Sequence, residues 1–399
     1  TIPAMRKTGF RASYAAGVEA CASTGGVLMP PIMGSTAFIM AVFLNIPYIT
    51  IAVAAIIPSI LYYLALFIQI DAYAAKNNMP GLPKEQLPKL GETFRAGWHF
   101  IAVFILLIVM LVYLKQEVLA PFYATALLLI INQIFSKERW GMKEFWAFIL
   151  AAGKLLAEIA AILVGVGLIV GALSITGMAG TLVNDLVFIA GGDILVLLLM
   201  GAIASFIMGI GMTVTAAYIF LAIVLAPALI QGGLDPLSVH LFILYWGMVS
   251  FITPPVALGA FAAASIAGAS PMRTGFEAMR LGSIIYFVPF FFVLDPAFIL
   301  NGELSRTALL FVCAVGGVIL VASSLQGYLV WIGNLHRHPI LGWPIRALVL
   351  IGGLALATPG GSDLIPFSDL ELALFALATA GPAAAVAYML ERRAKAAMA

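Results

Sequence analysis

The sequence feature that most constrains the fold is a long run without a charged side chain, at residues 20–70. Further runs of this kind cover residues 96–114, 118–136, 159–184, 194–234, 236–272, 307–336 and 372–390. A transmembrane helix needs about 20 apolar residues, and a charge at the bilayer centre costs at least about 2.5–3.5 kcal/mol on insertion scales. We therefore expect several runs to cross lipid, some of them as two helices joined by a turn.

The composition places the chain in a lipid bilayer rather than in water. Apolar types make up 63% of the residues and charged types only 10%, whereas soluble proteins carry roughly 25% charged residues. So few charges cannot cover the surface of a water-soluble protein. The sequence thus predicts an all-α fold, a polytopic transmembrane helical bundle. Its formal net charge of +2 is too small and too dispersed to indicate a nucleic-acid partner.

The apolar pattern also predicts the helices and their orientation. Segments 71–95 and 136–144 are rich in Lys and Arg. Two spans separate them, so the positive-inside rule places both on the cytoplasmic face. Several predicted helices are too short to cross the bilayer alone. The predicted helices are 12–28, 34–45, 48–70, 97–114, 118–134, 145–176, 181–190, 194–208, 214–230, 237–250, 257–268, 281–299, 307–334, 345–357 and 369–391.

An internal repeat relates two parts of the chain at an offset of 224 residues. At this offset Gly9 falls on Gly233, and the doublet Pro30-Pro31 falls on Pro254-Pro255. Just after the doublets the match continues loosely, with a small change of register. Repeats of this kind are common in membrane transporters, often with inverted topology and a ligand site where the two copies meet. We therefore expect inverted repeats with discontinuous helices.

The two proline doublets are the chemically informative part of the repeat. Proline lacks an N–H group and disfavours helical geometry in the preceding residue, so each doublet stops a helix and frees carbonyl oxygens. Hydrocarbon cannot satisfy these oxygens, so the breaks must be buried in protein or line an aqueous cavity. Freed carbonyls can coordinate Na⁺, and half-helix N-termini favour anions. A simple kink explains one doublet, but two doublets at matching positions favour a binding site.

A third interruption, at residues 208–215, precedes the second copy and combines glycines with threonine hydroxyls. Glycine permits backbone conformations that other residues rarely adopt. Subtracting the offset places the first-copy counterpart of this segment before Thr1. We therefore expect the chain to be a fragment that lacks the leading hairpin of its first half.

Segments 2–10, 18–26 and 29–34 of the first half, and 209–218 and 252–257 of the second half, carry a family resemblance. In these segments the chain resembles the large membrane subunit of tripartite ATP-independent periplasmic (TRAP) transporters. The resemblance covers about residues 1–295 and looks closest to the fused-permease branch that works with TAXI-type binding proteins. Residues 300–399 match no motif of the family and resemble additional transmembrane helices.

The resemblance implies a Na⁺-coupled importer of organic acids or similar small solutes. It implies an elevator-type transport domain with helical hairpins, located in a bacterial or archaeal cytoplasmic (inner) membrane. The implied partners are a periplasmic substrate-binding protein of the TAXI type and a small membrane subunit, separate or fused upstream. Na⁺ is the implied coupling ion, and no organic cofactor is implied.

The resemblance also assigns regions and site residues. It divides the chain into the C-terminal part of a first transport repeat (1–70), a linker with scaffold spans and a long helix (71–180), a second transport repeat (181–300) and additional C-terminal helices (301–399). The implied Na⁺ ligands are Ser23, Thr24, Gly25, Gly26, Gly209, Gly211, Met212, Thr213, Ser250 and Thr253. The implied helix-break and substrate positions are Pro30, Pro31, Gly34, Ser35, Thr215, Pro254, Pro255 and Gly259.

A few charged and polar side chains lie in or near the apolar runs. Glu19 precedes the first break. It either tunes an ion site or accepts a proton, or it acts as a structural partner of nearby basic residues, and we favour the structural role. Lys154 and Glu158 share one helix face at a spacing of four and can pair. Because their helix begins near the cytoplasmic interface and is unusually long, we favour a shallow or membrane-surface segment over an intramembrane functional pair. His99 and His240 stand alone at span edges and are expected to be interfacial or packing residues. Helix-capping roles are expected for Asp185, Asp193, Asp235 and Asp295.

Two other classes of protein fit the sequence less well. An intramembrane enzyme needs a paired acid and base, a nucleophile with its base, or metal-ligand spacing, and the spans show none of these patterns. A channel usually needs polar rings formed by oligomerisation. Within the transporters, a divalent-anion/Na⁺ symporter that needs no binding protein remains as the alternative.

Overall fold

A computed structural model of the chain describes residues 1–81, 83, 85, 87–135, 139–362 and 364–396. Nearly all regular structure in these residues is helical, which confirms the predicted all-α class. Lys84 and Lys137, which belong to the two basic segments, lie outside the described residues.

The first part of the chain forms five helices, two before the first proline doublet and three after it. The doublet separates the second helix from the third, and the third ends at Asn45, which adopts the left-handed conformation (φ 52°). The helices are α1 (Ile2–Lys7), α2 (Ala12–Gly26), α3 (Ser35–Leu44), α4 (Tyr48–Ala54) and α5 (Ile56–Lys76).

Four helices follow, and they have mostly exposed surfaces. The helices are α6 (Leu90–Ile108), which continues as a π-helical turn (Val109–Tyr113), α7 (Ala120–Phe135), α8 (Met142–Ile175) and α9 (Met178–Ile189). Lys154 and Glu158 are both exposed on α8 and are not within ion-pairing distance of each other. Asp185 lies inside α9, so the expected capping role at this residue is wrong.

The next seven helices, α10 to α16, include the second doublet, which lies between α13 and α14. As expected, the carboxylates of Asp193, Asp235 and Asp295 accept backbone N–H groups at helix starts. The helices are α10 (Ile194–Gly211), α11 (Val214–Val224), α12 (Ala226–Gln231), α13 (Pro236–Met248), α14 (Leu258–Ala267), α15 (Pro271–Leu281) and α16 (Val288–Leu294), with 3₁₀ turns at Val249–Phe251, Ser283–Tyr286 and Pro296–Ile299.

The C-terminal part contains three helices and a short hairpin. The helix predicted to reach residue 334 stops at Gln326, because Gly327 takes a left-handed conformation (φ 76°) that ends it. An antiparallel pair of two-residue strands follows. The elements are α17 (Leu304–Gln326), β1 (Tyr328–Leu329), β2 (Gly333–Asn334), α18 (Gly342–Ala357) and α19 (Asp369–Ala396).

The backbone reproduces the repeat predicted from the sequence. Gly9 and Gly233 both have positive φ (103° and 93°), and so do Met33 and Ala257 (45° and 38°), which are not glycines. Both proline doublets contain a cis peptide bond. The helix after the first doublet starts at Ser35 and the helix after the second starts at Leu258. At an offset of 224 the second helix would start at residue 259, so it begins one residue nearer to its doublet. The expected change of register therefore falls between the left-handed residue and the helix.

Two other predicted helix boundaries are wrong. The segment 281–299 is not one helix, because it is divided into 3₁₀ turns and α16, and prolines occur at Pro289 and Pro296. The predicted helix 214–230 is interrupted at Leu225, two residues before Pro227. In both cases proline removes a backbone donor from an otherwise apolar and helical pattern.

The described residues contain five helices that are long and apolar enough to cross a membrane. The count rises to six if α15 and the segment Ser283–Leu294, which bend by 68°, form one span. The five are Tyr48–Lys76, Met142–Leu173, Ile194–Gly211, Leu304–Gln326 and Asp369–Ala394. These lengths and compositions agree with a polytopic membrane bundle.

Helix α5 lies at the centre of the bundle. It packs against α2 on one side and against α17 on another. Tyr14 of α2 stacks on Tyr73 of α5 with ring centroids 3.8 Å apart. Helix α5 therefore joins the first repeat to the C-terminal helices.

Candidate functional site

The first helix break, residues 27–34, is closed by a tyrosine. The hydroxyl of Tyr48 lies 2.7 Å from the carbonyl oxygen of Pro31 and 2.9 Å from that of Ile32. Both carbonyls are freed from helical bonding by the doublet. A tyrosine hydroxyl has one proton to donate, so it satisfies one of the two oxygens fully at any moment.

The end of α2 is held against α5 by two more tyrosines. Tyr62 donates to the carbonyl of Cys21 and Tyr63 donates to that of Ala22, each at 2.9 Å. A Cβ atom on Gly25 would lie 2.6 Å from Cε1 of Tyr62, whereas one on Gly26 would meet nothing within 4 Å. Gly25 is therefore a packing requirement of this close approach, and Gly26 faces open space.

The second break lies against the end of α10. Ser250 is buried and donates to the carbonyl of Gly247 at 2.9 Å. A Cβ atom on Gly209 would lie 2.6 Å from that carbonyl oxygen and 2.9 Å from Oγ of Ser250. Thr253, also buried, shares a 2.6 Å hydrogen bond with the hydroxyl of Tyr286. Hydroxyl and carbonyl oxygens thus converge at this break.

The third interruption is narrower than predicted. Gly209 and Gly211 belong to α10, so their expected position in an unwound segment is wrong. The backbone leaves the helix at Met212 (φ −149°, ψ 174°) and Thr213 (φ −64°, ψ 152°). Thr213 then caps α11 by accepting the N–H of Ala216 at 3.3 Å. Only two residues therefore separate the helices of this hairpin.

The first turns of α3 and α11 meet. The hydroxyl of Thr215 lies 3.0 Å from that of Thr36 and 3.4 Å from that of Ser35. Each helix presents its N-terminus here, where backbone N–H groups lack intrahelical partners and the helix dipole is positive. Two positive helix ends and three hydroxyls therefore share one small region.

A cavity of about 370 Å³ lies between the two repeats. Glu19, Ser23 and Thr24 line it from α2, and Gly259 lines it from α14. A Cβ atom on Gly259 would lie 3.9 Å from Oγ1 of Thr24. The donors on this wall are oxygens, and no basic side chain lines the cavity. Hard cations prefer such ligands.

The predicted site residues therefore divide into separate places. The cavity brings together Ser23, Thr24 and Gly259, while Gly209 and Ser250 meet at the second break. Thr213 and Met212 lie at the hairpin tip. The described residues hold no cluster of three or more His, Cys, Asp or Glu side chains suited to a metal. A cation bound here would depend on carbonyl, hydroxyl and carboxylate oxygens.

Comparison with known families identifies the family of the chain. The family model described as "Tripartite ATP-independent periplasmic transporter, DctM component" matches residues 1–305. The chain belongs to the DctM family. The match ends near the start of α17, so the TRAP resemblance extends slightly beyond the residues that the motifs indicated. Together with the apolar helices, membership identifies a multi-pass membrane protein.

Two curated DctM-related proteins are similar to the chain. The isethionate TRAP transporter permease protein DctMQ of Oleidesulfovibrio alaskensis is 25% identical over 274 residues, which cover 67% of this chain and 42% of that protein. The C4-dicarboxylate TRAP transporter large permease protein DctM of Pseudomonas aeruginosa is 22% identical over 271 residues, which cover 67% of this chain and 62% of that protein. The aligned part thus spans less than two thirds of either relative.

The sequence did not point to the tyrosines that surround the breaks of this DctM chain. Tyr48, Tyr62 and Tyr63 all lie in an apolar run, where a hydroxyl must find a partner if buried. This requirement indicates that each hydroxyl forms a hydrogen bond, but the sequence does not show with which group. His240, expected to be a packing residue, is buried and hydrogen-bonds to the hydroxyl of Tyr218 at 2.7 Å.

Proposed function

We propose that the chain is the core of the large permease subunit of a Na⁺-coupled secondary-active importer of small organic solutes, organic acids in particular. Membership in the DctM family supports the transport role. The two relatives are named for isethionate and C4-dicarboxylate transport, and both solutes are small organic anions. An elevator-type movement in the cytoplasmic membrane belongs to the same proposal.

The partners in this proposal are a periplasmic solute-binding protein of the TAXI type and a small membrane subunit. The family description names a tripartite periplasmic system, and one relative carries the combined name DctMQ. Both observations support a multi-component importer.

Cation binding is proposed for the cavity between the repeats and for the second helix break. The observation that carries this proposal is the cavity wall, where Glu19, Ser23 and Thr24 lie on one face of α2. Glu19 and Ser23 are four residues apart and so share one helix face, and Thr24 lines the cavity beside Ser23. Among the described residues Glu19 forms no ion pair, and such a carboxylate favours Na⁺ and opposes an organic anion. Ser250 and Thr253 supply further oxygens at the second break.

Solute binding is proposed for the meeting point of α3 and α11. The positive ends of the two helix dipoles favour a carboxylate or sulfonate group there. The hydroxyls of Ser35, Thr36 and Thr215 can donate to such a group. Separate places for cation and anion fit a symporter, because both sites can then be occupied at once and both charges can cross the membrane together.

The proposal is tested by solute uptake into proteoliposomes that contain the full-length protein, its small subunit and its binding protein. Uptake should require both a Na⁺ gradient and the solute-loaded binding protein. Uptake without the binding protein would favour the divalent-anion symporter instead. Uptake that ignores Na⁺ would refute the proposed coupling ion.

A further inference from the structure

The structure brings four basic side chains of four separate elements together. Arg11 caps α2, Lys76 ends α5, Arg280 lies in the last turn of α15, and Arg346 lies in the first half of α18. A Cβ atom on Gly327 would lie 3.2 Å from Nζ of Lys76 and 3.6 Å from Cζ of Arg346, so these two cations meet at one point. Nε of Arg11 donates to the hydroxyl of Tyr73, one turn before Lys76 on α5, at 3.1 Å. The charges of Arg11 and Arg280 also act on Lys76. Bringing like charges together is unfavourable unless something compensates them.

The C-terminus of α17 compensates part of this charge. Nε and Nη2 of Arg346 donate to the carbonyls of Ser324 and Leu325, each at 2.7 Å. Nζ of Lys76 donates to the carbonyl of Gln326 at 3.3 Å. These bonds use two of the five donors of the guanidinium and one of the three of the ammonium. The helix end thus orients the two cations but leaves donors available.

The other two cations rest on stacked tyrosines. The guanidinium carbon of Arg280 lies 5.8 Å from the ring centroid of Tyr14, and that of Arg11 lies 5.9 Å from that of Tyr73. Arg280 pairs with Glu277, yet its buried Nε has no hydrogen-bond partner in the part of the chain that the structure describes. Among the described residues, Glu277 is the acid whose charge acts on Arg11. Glu277 thus offsets charge on Arg280 and Arg11, whereas no ion pair of Lys76 or Arg346 with a carboxylate is present among the described residues.

We propose that this basic cluster (Arg11, Lys76, Arg280 and Arg346) binds the phosphate of an anionic lipid headgroup. An orphan guanidinium N–H and an excess of positive charge are the complement of a phosphate group. The proposal is independent of the transport function.

The surroundings of the basic cluster favour a lipid over free phosphate. Arg346 lies 4.9 Å from the ring centroid of Trp343. Trp343 is 65% exposed, and Trp331 in the hairpin after α17 is 94% exposed. Exposed tryptophans are typical of the headgroup level of a bilayer. Lys76 also belongs to the basic segment 71–95, which the positive-inside rule places on the cytoplasmic face, where basic pockets between helices hold anionic headgroups.

Native mass spectrometry and thermal unfolding of the full-length protein test the proposal. The protein is examined in nanodiscs of phosphatidylcholine alone, in nanodiscs that also contain phosphatidylglycerol, and in phosphatidylcholine with added inorganic phosphate. Phosphatidylglycerol should remain bound and raise the unfolding temperature. The double variant Lys76→Gln/Arg280→Gln should weaken this binding on the order of tenfold. The control Lys143→Gln, an exposed charge at the start of α8, should leave it unchanged.

Two further variants keep the result interpretable if the double variant folds poorly. Lys76→Gln alone changes an exposed residue at a helix end and should still weaken lipid binding. Arg280→Lys retains the charge and should retain most of the binding. Equal stabilisation by inorganic phosphate would overturn the assignment to a lipid. Equal lipid binding by Lys76→Gln, Lys143→Gln and the unchanged protein would overturn the site itself.

Discussion

Gly25 approaches Tyr62 so closely that a Cβ atom on the glycine would lie 2.6 Å from Cε1 of the ring. The ring cannot retreat easily, because its hydroxyl donates to the carbonyl of Cys21 on the same helix. The end of α2 is thus fixed by contact as well as by the proline doublet that follows.

Gly25→Ala should destabilise the protein by about 1–3 kcal/mol, the usual range for overpacking a core. Gly26→Ala is the matched control, because nothing lies within 4 Å of its Cβ position, and alanine is the better helix former. Thermal unfolding of the purified variants in detergent compares them. Equal stability of the two would show that α2 and α5 are not this close.

Gly209→Ala and Gly211→Ala form a second pair of this kind. A Cβ atom on Gly209 would lie 2.6 Å from the carbonyl oxygen of Gly247 and 2.9 Å from Oγ of Ser250, while one on Gly211 meets nothing within 4 Å. We expect Gly209→Ala to lower both stability and Na⁺ affinity in uptake assays, since it displaces the oxygens of the second break. Gly211→Ala should change neither. An unaltered Na⁺ dependence in Gly209→Ala would remove Ser250 from the cation site.

Local sequence rules predicted much of the fold, because helix breaks come from backbone chemistry. The doublets at Pro30 and Pro254 stop helices whatever surrounds them, so the repeat and its shift of register were predictable. The boundaries within the segment 281–299 could not be predicted in this way, because Pro289 and Pro296 lie in a continuous apolar run that resembles a single span. The end of α17 at Gly327 depends on a left-handed conformation that glycine permits but does not require.

Tyr48→Phe tests the closure of the first break. Removing the hydroxyl leaves the carbonyls of Pro31 and Ile32, which are only partly buried, without this donor, and the loss of such a hydrogen bond costs about 0.5–1.5 kcal/mol. Tyr245→Phe is the control, because the buried hydroxyl of Tyr245 has no hydrogen-bond partner. Thermal unfolding should show a loss for Tyr48→Phe and little change or a gain for Tyr245→Phe. The reverse order would contradict the described bonding.

Glu19→Gln and Thr215→Val test whether Na⁺ and the solute bind at different places, because each variant should alter the binding of one of them. Glu19→Gln removes the charge of the cavity wall, so the Na⁺ concentration for half-maximal uptake should rise several-fold while the solute KM changes little. Thr215→Val removes a hydroxyl at the two helix ends, so the solute KM should rise instead. Glu158→Gln and Thr93→Val alter exposed residues on α8 and α6 and serve as controls. If both site variants alter the same parameter, cation and solute do not occupy separate places.

Arg306 links the start of α17 to two other segments. It donates to Asp295, to Asp369 and to the carbonyl of Gly360. Because hydrogen bonds to charged groups contribute about 1.5–3 kcal/mol, Arg306→Gln should lower the unfolding temperature measurably. Arg393→Gln, an exposed change near the chain end, should not. Faster proteolysis between α18 and α19 in Arg306→Gln would provide a second readout.

The candidate site was less predictable than the fold, because it depends on which residues meet. Spacing indicated that Thr24 and Gly259 flank breaks, but only the packing of α14 on α2 brings them to one cavity. Thr36 had no signal of its own, and its contact with Thr215 spans 179 positions of the chain. Glu19 was judged a structural partner of basic residues, yet it lines the cavity and accepts a hydrogen bond from Thr1.

Helix α5 holds the end of α2 through Tyr62 and Tyr63 and also forms the seat of α17. If the first repeat moved along the membrane normal, α5 would move with it. Helices α17, α18 and α19, which pack on α5 and on one another, would then move as part of the same rigid body. The C-terminal helices can therefore belong to a stationary scaffold only if α17 moves relative to α5. If the proposed elevator-type movement includes both parts, labels placed on α2 and α17 should keep a constant separation during turnover, while the distance from α2 to a label on the exposed α8 should change.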